Sequence, residues 1–305
     1  MKTLVTGGAG FIGSNLVKHL CDERHKVVVI DDFSSSGGRI FKEPRAKIFR
    51  GSFGDEKLLR KLLKGQDVVF HLAATGIIKK SLENPLSYFK NNFLNGVKLL
   101  DAMRSAGVKK IIYSSSSGAY GEPKKIPICE DDIKEPVNPY GASKLAYEHV
   151  LSSYWHAFGI ESVSLRYFNV YGPGDEQRPV TRAVPMWIKA VLKNEEVPIY
   201  WGGKQIKDYI YVSDVVSANM LAAKRGRGCA VYNVGSGKGI KMIDVARAVE
   251  KASGLKLKII DGGNRAGDPS VLIADTNKIE KELGWKPKVG LEDGLRFAIE
   301  YYKKN

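Results

Sequence analysis

The stretch that most restricts the architecture of this chain lies at its start, "KTLVTGGAGFIGS". A short run with strand composition leads into Gly7, Gly10 and Gly13, and an amphipathic segment over Phe11 to Asp22 follows with helical spacing. Glycine is required where the backbone turns tightly, where it approaches a pyrophosphate, and where the following helix packs on the strand. The helix N-terminus then offers N–H donors and positive dipole to phosphate. A second strand, "KVVVID", ends in Asp31-Asp32, with Asp31 18 residues beyond Gly13. An acidic side chain there accepts hydrogen bonds from an adenosine ribose and repels a 2′-phosphate, so the pair of signals reads as a dinucleotide site for NAD rather than NADP.

Alternation of elements extends this beginning. "KVVVID", "AKIFRG", "DVVFHLAA" and "KKIIYSS" read as strands, separated by helices near Glu56 to Leu63 and Pro85 to Ala106. A helix over Tyr140 to Phe158 and a strand "ESVSLRYFNVYG" follow. That order predicts a doubly wound parallel Rossmann-type sheet, fold class α/β. Past Gly172 the pattern breaks into pieces punctuated by Gly and Pro, with a helix near Ala183 to Leu192. "KDYIYVSDVV" and "AVYNVGSG" then read as material returning to the main sheet. The expected organisation is an NAD-binding domain over residues 1–172 and 208–240, and a smaller, discontinuous mixed α/β substrate domain over 173–207 and 241–305.

Composition removes other classes. With 305 residues and 43% hydrophobic content the chain can bury a large core. No apolar run approaches the roughly 18 residues of a membrane span, and the N-terminus lacks the layout of a signal peptide, which predicts a soluble, cytoplasmic protein with no membrane partner. Cys21, Cys129 and Cys229 stand too far apart for a zinc site or a disulfide framework, so no metal is expected. The net charge of +15 comes from scattered lysines such as Lys79-Lys80 and Lys109-Lys110, without a basic arm, so no nucleic-acid partner is expected either.

The chemistry-bearing stretches are "YSSSSGAYG" and "NPYGASKLAYEHV". Tyr140 and Lys144 stand four apart and share one face of a helix. Bringing a phenol from its ordinary pKa near 10 to near 7 requires roughly 4 kcal/mol. An ammonium about 5 Å away at an effective dielectric of 20 supplies roughly 3 kcal/mol. The charge of an oxidised nicotinamide would supply the remainder.

Through "TGGAGFIG", "VVFHLAA", "NNFLNGVKLL", "YSSSSGAYG", "PYGASK", "LRYFNVYGP", "KDYIYVSDVV", "VYNVGSG", "RAGD" and "LGWKP", the chain resembles the extended short-chain dehydrogenase/reductases over essentially its whole length. Within them it resembles the NAD-dependent nucleotide-sugar epimerase/dehydratase group. The resemblance implies Ser116, Tyr140 and Lys144 as the catalytic set. Ser116 would bond the sugar hydroxyl that is oxidised, Tyr140 would take its proton, and Lys144 would hold the nicotinamide ribose and lower the pKa of Tyr140. Cofactor contacts are implied for Gly7, Gly10, Phe11, Ile12, Gly13, Asp31, Asp32, Ser52, Phe53, Leu72, Ala73, Ala74, Asn92, Ser114 and Phe168, besides Tyr140 and Lys144. Substrate contacts are implied for Ser116, Ser117, Asn169, Tyr200, Lys207, Arg265 and Asp268. Relatives that dehydrate sugars carry an acidic pair after the catalytic Ser/Thr. Here Ser117 and Gly118 follow, which disfavours elimination.

Three departures from the family pattern stand out: Lys207 replaces a phosphate-binding arginine, "GSF" at Gly51-Ser52-Phe53 replaces "GDI" or "GDL", and Leu272 stands at a position that gates bulkier sugars. The favoured activity is 4-epimerisation of a UDP-hexose, with UDP-glucose and UDP-galactose first. Alternatives are a 4-epimerase for UDP-N-acetylglucosamine or UDP-glucuronate, a keto-sugar reductase, which Asp31 argues against, and a non-catalytic dinucleotide- or RNA-binding protein. By resemblance the partners are a UDP-sugar substrate and a second copy of the chain, joined through the helix of Tyr140 and the helix near Pro85 to Ala106.

Overall fold

A computed structural model describes residues 1–34, 41–175, 182–264 and 268–304. In chain order the strands are β1 (Lys2–Thr6), β2 (Lys26–Asp31), β3 (Lys47–Arg50), β4 (Val68–His71), β5 (Lys110–Ser116), β6 (Glu161–Tyr167), β7 (Asn169–Tyr171), β8 (Glu196–Ile199), β9 (Ile206–Tyr211), β10 (Cys229–Val234), β11 (Gly239–Lys241), β12 (Lys258–Asp261) and β13 (Val271–Leu272). Seven of them form one sheet in the order β10-β6-β5-β4-β1-β2-β3, all parallel.

This sheet is buried on both faces, which is why its strands read as continuous apolar runs. Successive residues point to opposite sides. Leu4, Val69 and Ile111 join one core with Leu59, Leu99, Met103, Tyr147 and Leu151, whereas Val5, Phe70 and Ile112 join the other with Leu16, Leu20, Val215 and Met220. The first core is supplied by helices α2 (Glu56–Leu62), α5 (Asn95–Ala106) and α6 (Pro139–Phe158), the second by α1 (Phe11–Asp22) and α8 (Val212–Arg225). Two short helices, α3 (Ile78–Glu83) and α4 (Pro85–Tyr88), precede α5, and α7 (Ala183–Lys193), α9 (Met242–Ser253), α10 (Asn277–Leu283) and α11 (Leu291–Lys304) complete the set. Among the described residues no helix is long and apolar enough to cross a membrane.

Three sequence expectations change. The helix read over Pro85 to Ala106 contains a π-helical stretch, Phe89–Leu94, between α4 and α5. "ESVSLRYFNVYG" is two strands, because the chain leaves the large sheet at Phe168. There β6 ends beside β10, and β7 pairs instead with β9. "KDYIYV" does not return to the large sheet. As β9 it pairs with β7, β11 and β13 in a four-stranded sheet, and only α8 and β10 return. The boundaries drawn at residues 172, 207 and 240 therefore run through this smaller sheet. A parallel pair, β8 and β12, lies beyond it.

Asp208 on β9 holds the smaller sheet together. Its carboxylate, with no exposure, accepts from Ser236 N and Oγ (both 2.6 Å), Gly237 N (3.0 Å) and Ala274 N (3.1 Å). Replacing it leaves buried donors without acceptors, each costing about 1–3 kcal/mol. Asp208→Ala is expected to lower the unfolding free energy by about 3 kcal/mol or more, read from urea unfolding at neutral pH.

Candidate active site

In the large sheet the direction of strand addition reverses between β1 and β4, and a crevice opens there at the carboxyl ends of the strands. The glycine loop closes one side. Gly7 has φ +72, and a Cβ on it would come within 2.6 Å of Ala73 N across the crevice; a Cβ on Gly13 would meet Gly7 O at 2.0 Å. The loop can thus exist only with glycine at both positions, and it presents the start of α1 to the crevice. Asp31 braces it from β2, its carboxylate accepting from Ala9 N (2.9 Å) and Phe33 N (2.8 Å). Burial pushes the Asp31 carboxyl up, and these two backbone donors oppose the shift.

Of the residues expected at the cofactor, Gly7, Gly10, Phe11, Ile12, Gly13, Asp31, Asp32, Phe53, Leu72, Ala73, Ala74, Ser114, Tyr140 and Lys144 line this crevice together. Three do not. Ser52 turns its hydroxyl onto Gly54 N at 3.0 Å, in the turn before α2. Asn92 is 2% exposed and uses its whole amide on other partners: its Oδ1 accepts from Thr75 N (2.8 Å), and its Nδ2 donates to Thr75 O and Ser143 Oγ (both 3.1 Å). The π-helical stretch presents Asn91 to the crevice instead, with its Nδ2 on Thr75 Oγ1 at 3.1 Å. Phe168, at the residue where the chain changes sheets, packs with Tyr120, Ile128, Leu272 and Ala274 beside a second cleft.

The two clefts meet at Tyr140, which lines both. Helix α6 starts at Pro139, and the side chain of Asn138 caps it by accepting from Gly141 N at 2.8 Å. Tyr140 stands in the first turn and Lys144 one turn later. Lys144 is 3% exposed; its Nζ donates to Ser114 O at 2.7 Å and lies 4.9 Å from the ring centre of Tyr113 and 5.9 Å from that of Tyr140. Burial lowers its pKa to about 7, against the opposing pull of the Glu148 carboxylate. Burial raises the Tyr140 phenol, and the hydroxyl of Ser116 and the charge of Arg182 oppose the shift. The Lys144 ammonium is hydrogen-bonded to the Ser114 carbonyl, 5.9 Å from the ring centre of Tyr140.

The second cleft holds most of the expected substrate residues. Ser116, Ser117, Asn169, Lys207, Asp268 and Leu272 line it with Gly118. Ser116 Oγ accepts from Gly118 N at 3.1 Å, and Asn169 Nδ2 donates to Asp208 O at 3.1 Å. Lys207 and Asp268, 61 residues apart, form an ion pair of 2.7 Å, and the same ammonium also donates to Pro269 O. Tyr200 does not line the cleft; its ring packs beside Gly262. Arg265 lies outside the described residues. Reasoning from sequence missed Arg182, which lines both clefts, pairs with Asp175 at 2.6 Å and lies over the Phe11 ring. It also missed Tyr167, whose hydroxyl meets Ser114 Oγ at 3.0 Å and Asn219. Arg182 lies outside every quoted motif, and Tyr167, though within "LRYFNVYGP", stands in strand composition that reads as core.

The crevice fits NAD on its own terms: a glycine cradle that a Cβ would fill, a helix start for the pyrophosphate, and a carboxylate at the tip of β2 for a ribose. Comparison with known proteins agrees. The family model described as the NAD dependent epimerase/dehydratase family matches residues 3–235. The chain is similar to the UDP-glucose 4-epimerase of Lactobacillus helveticus, with 35% identity over 100% of this chain and 98% of that protein. Its structure is similar to that of UDP-glucose 4-epimerase from Thermotoga maritima with UDP-glucose (TM-score 0.96, 36% identity, 100% and 99% of the two chains). It is similar also to the Thermus thermophilus UDP-glucose 4-epimerase complex with NAD (TM-score 0.92, 35% identity, 99% of each chain).

A buried lysine with a lowered pKa links stability to pH. Unfolded, the Lys144 ammonium holds its proton up to its ordinary pKa of 10.5, whereas the folded protein releases it near 7. Between those values the unfolded chain binds more protons, so unfolding becomes harder as pH rises, and below pH 7 the buried charge costs its full amount. The stability of the wild-type protein relative to Lys144→Met is therefore expected to increase from pH 7 to pH 10, read as the difference in urea midpoints.

Proposed function

The chain belongs to the NAD dependent epimerase/dehydratase family, and from that premise we propose that it interconverts UDP-glucose and UDP-galactose by inverting C4. The observation that carries this reading is the meeting of two clefts at Tyr140. A dinucleotide crevice and a sugar cleft meet at this phenol, with Ser116 lining the second and Lys144 the first. When bound, NAD supplies a reversible hydride acceptor.

The chain's own residues do the rest. Tyr140 takes the proton of the C4 hydroxyl and later returns it. Ser116, which lines the sugar cleft with Tyr140, holds that hydroxyl in line. Lys144 lines the cofactor crevice behind the phenol, where it would hold the nicotinamide ribose, and when protonated its charge acts at low dielectric because it is buried. Positions 117 and 118 are Ser and Gly, so the acid–base pair that elimination requires is absent next to Ser116. Asn169 and Lys207 face the diphosphate, and Asp268 the ribose of the uridine. Asn169 on β7 and Lys207 on β9 belong to the smaller sheet, and we assign the segments 173–207 and 241–305 to the nucleotide sugar.

A UDP-uronate is the second reading, and Arg182 favours it. A guanidinium lining the sugar cleft, close enough to Tyr140 to bias its ionisation, is suited to a carboxylate. As partner we propose a second copy of the chain. Leu86 and Leu94, 62% and 50% exposed, lie beside the helix of Tyr140, and Phe158 at that helix's end is 42% exposed. The cytoplasm, where UDP-sugars and NAD occur together, is the proposed site of action.

The deciding experiment incubates purified protein with UDP-galactose, UDP-N-acetylgalactosamine and UDP-galacturonate separately and follows the products by NMR. Conversion of UDP-galactose to UDP-glucose as the fastest reaction is the expected result. Faster turnover of UDP-galacturonate establishes the second reading, and no turnover of any of the three, even with NAD added, rejects 4-epimerisation. Tyr140→Phe is expected to lower kcat by about 10²–10⁴, the usual worth of a positioned acid–base group, while the thermal midpoint stays near wild type.

A further inference from the structure

Behind the catalytic set lies a buried ion pair that the reaction as described does not use. Glu148 follows Lys144 by one turn of α6 and is 6% exposed; Arg166 on β6 is 3% exposed. The guanidinium meets the carboxylate in two places, Nη2 to Oε2 at 2.6 Å and Nε to Oε1 at 3.0 Å. The other side of Arg166 is fixed as well: Nη1 donates to Tyr120 OH at 2.8 Å and Glu130 O at 2.9 Å. The pair is thus held at both ends, and Ser115 Oγ donates to Glu148 Oε1 at 2.5 Å. Ser115 stands between Ser114, whose carbonyl receives the Lys144 ammonium, and Ser116. Two contacts therefore tie the end of β5 to α6, and Glu148 makes one of them.

We propose that Glu148 is a positioning residue of this active site: through Ser115 it fixes the strand end that carries Ser116, and its charge sets the field in which Lys144 works. The proposal rests on the 4-epimerase reading for its kinetic consequence but not for its electrostatic one. The titratable groups around Lys144 are Tyr140 and Glu148 on its own helix, Tyr113 on β5 and His71 on β4. Burial keeps His71 neutral, with its pKa lowered to about 3, and pushes both tyrosines upward. Within this group Glu148 is the one carboxylate, and it opposes the loss of the Lys144 proton.

The test labels lysine with ¹³C at Cε and follows the Lys144 resonance, assigned by its loss in Lys144→Met, as pH rises. In the Glu148→Gln variant the midpoint is expected to fall by about one pH unit, since Arg166 is left uncompensated as well. Arg166→Met should move it the opposite way, by freeing the carboxylate from its counter-ion. The alkaline limb of kcat for the fastest UDP-sugar should follow the same directions. Removing one member of a buried pair destabilises strongly, so Ser115→Ala provides a milder arm. It is expected to lower kcat about fivefold, with KM and thermal midpoint near wild type. An unmoved midpoint in folded Glu148→Gln, or an unmoved kcat in Ser115→Ala, overturns the proposal. Absence of turnover in the wild-type protein would instead reject the 4-epimerase reading, and the ¹³C midpoints would still decide the role of Glu148.

Discussion

The architecture of this site depends on keeping one ammonium out of water. Lys144 is enclosed by Tyr113, Tyr140 and the Ser114 carbonyl, and an isolated charge in such a place loses its proton unless something holds it. The surroundings are arranged accordingly. Strand β5 ends so that a backbone carbonyl faces the lysine, helix α6 is capped by Asn138 so that Tyr140 and Lys144 point at that strand end, and Glu148 adds negative charge one turn away. Burial lowers Lys144 to about 7 and raises Tyr140, so the hydroxyl of Ser116 and the charge of Arg182 are what oppose the rise at the phenol.

The sheet supplies the geometry within which that can happen. Reversal of strand order between β1 and β4 opens the crevice, and Gly7 passes Ala73 too closely for any side chain to fit. Departure of the chain from the large sheet at Phe168 does the complementary work. It ends β6 beside the crevice and starts β7 in the smaller sheet, so a single residue step joins the cofactor half of the site to the sugar half. The Asp208 carboxylate then locks the smaller sheet to the loop after β10, a strand of the larger one. The two halves are thus aligned by strand pairing in the smaller sheet and by one buried carboxylate bonded to a loop of the larger.

How much of this could be read from sequence follows from chain separation. Features set by neighbours in the chain were legible: the glycine loop, the acidic end of β2, the Tyr140–Lys144 spacing, and the alternation that predicts a parallel sheet. Each is a local pattern with a mechanism. The π-helical stretch was not, because its signature is one extra residue in a turn of otherwise helical composition. That single residue decides whether Asn91 or Asn92 reaches the crevice. Sheet membership of β9 was not legible either. "KDYIYV" is a good strand in any sheet, and its partners β7, β11 and β13 are short pieces without a period of their own.

The partners that organise the site are those most distant in the chain. Lys207 meets Asp268 across 61 residues, Asn92 meets Ser143 across 51, and Ser115 meets Glu148 across 33. Residue type alone misleads for such pairs. Lys207 reads as a phosphate ligand because a lysine in a family position for arginine suggests an anion, yet in the structure its ammonium is already committed to a carboxylate and a carbonyl. Any diphosphate it receives must therefore share that ammonium with Asp268. A lysine, with three donors on one rotatable centre, can divide itself in this way, whereas the planar fork of an arginine fixes its bonds in one plane. At this position, where the family pattern has a directional arginine, the chain thus carries a cation that the fold itself already uses.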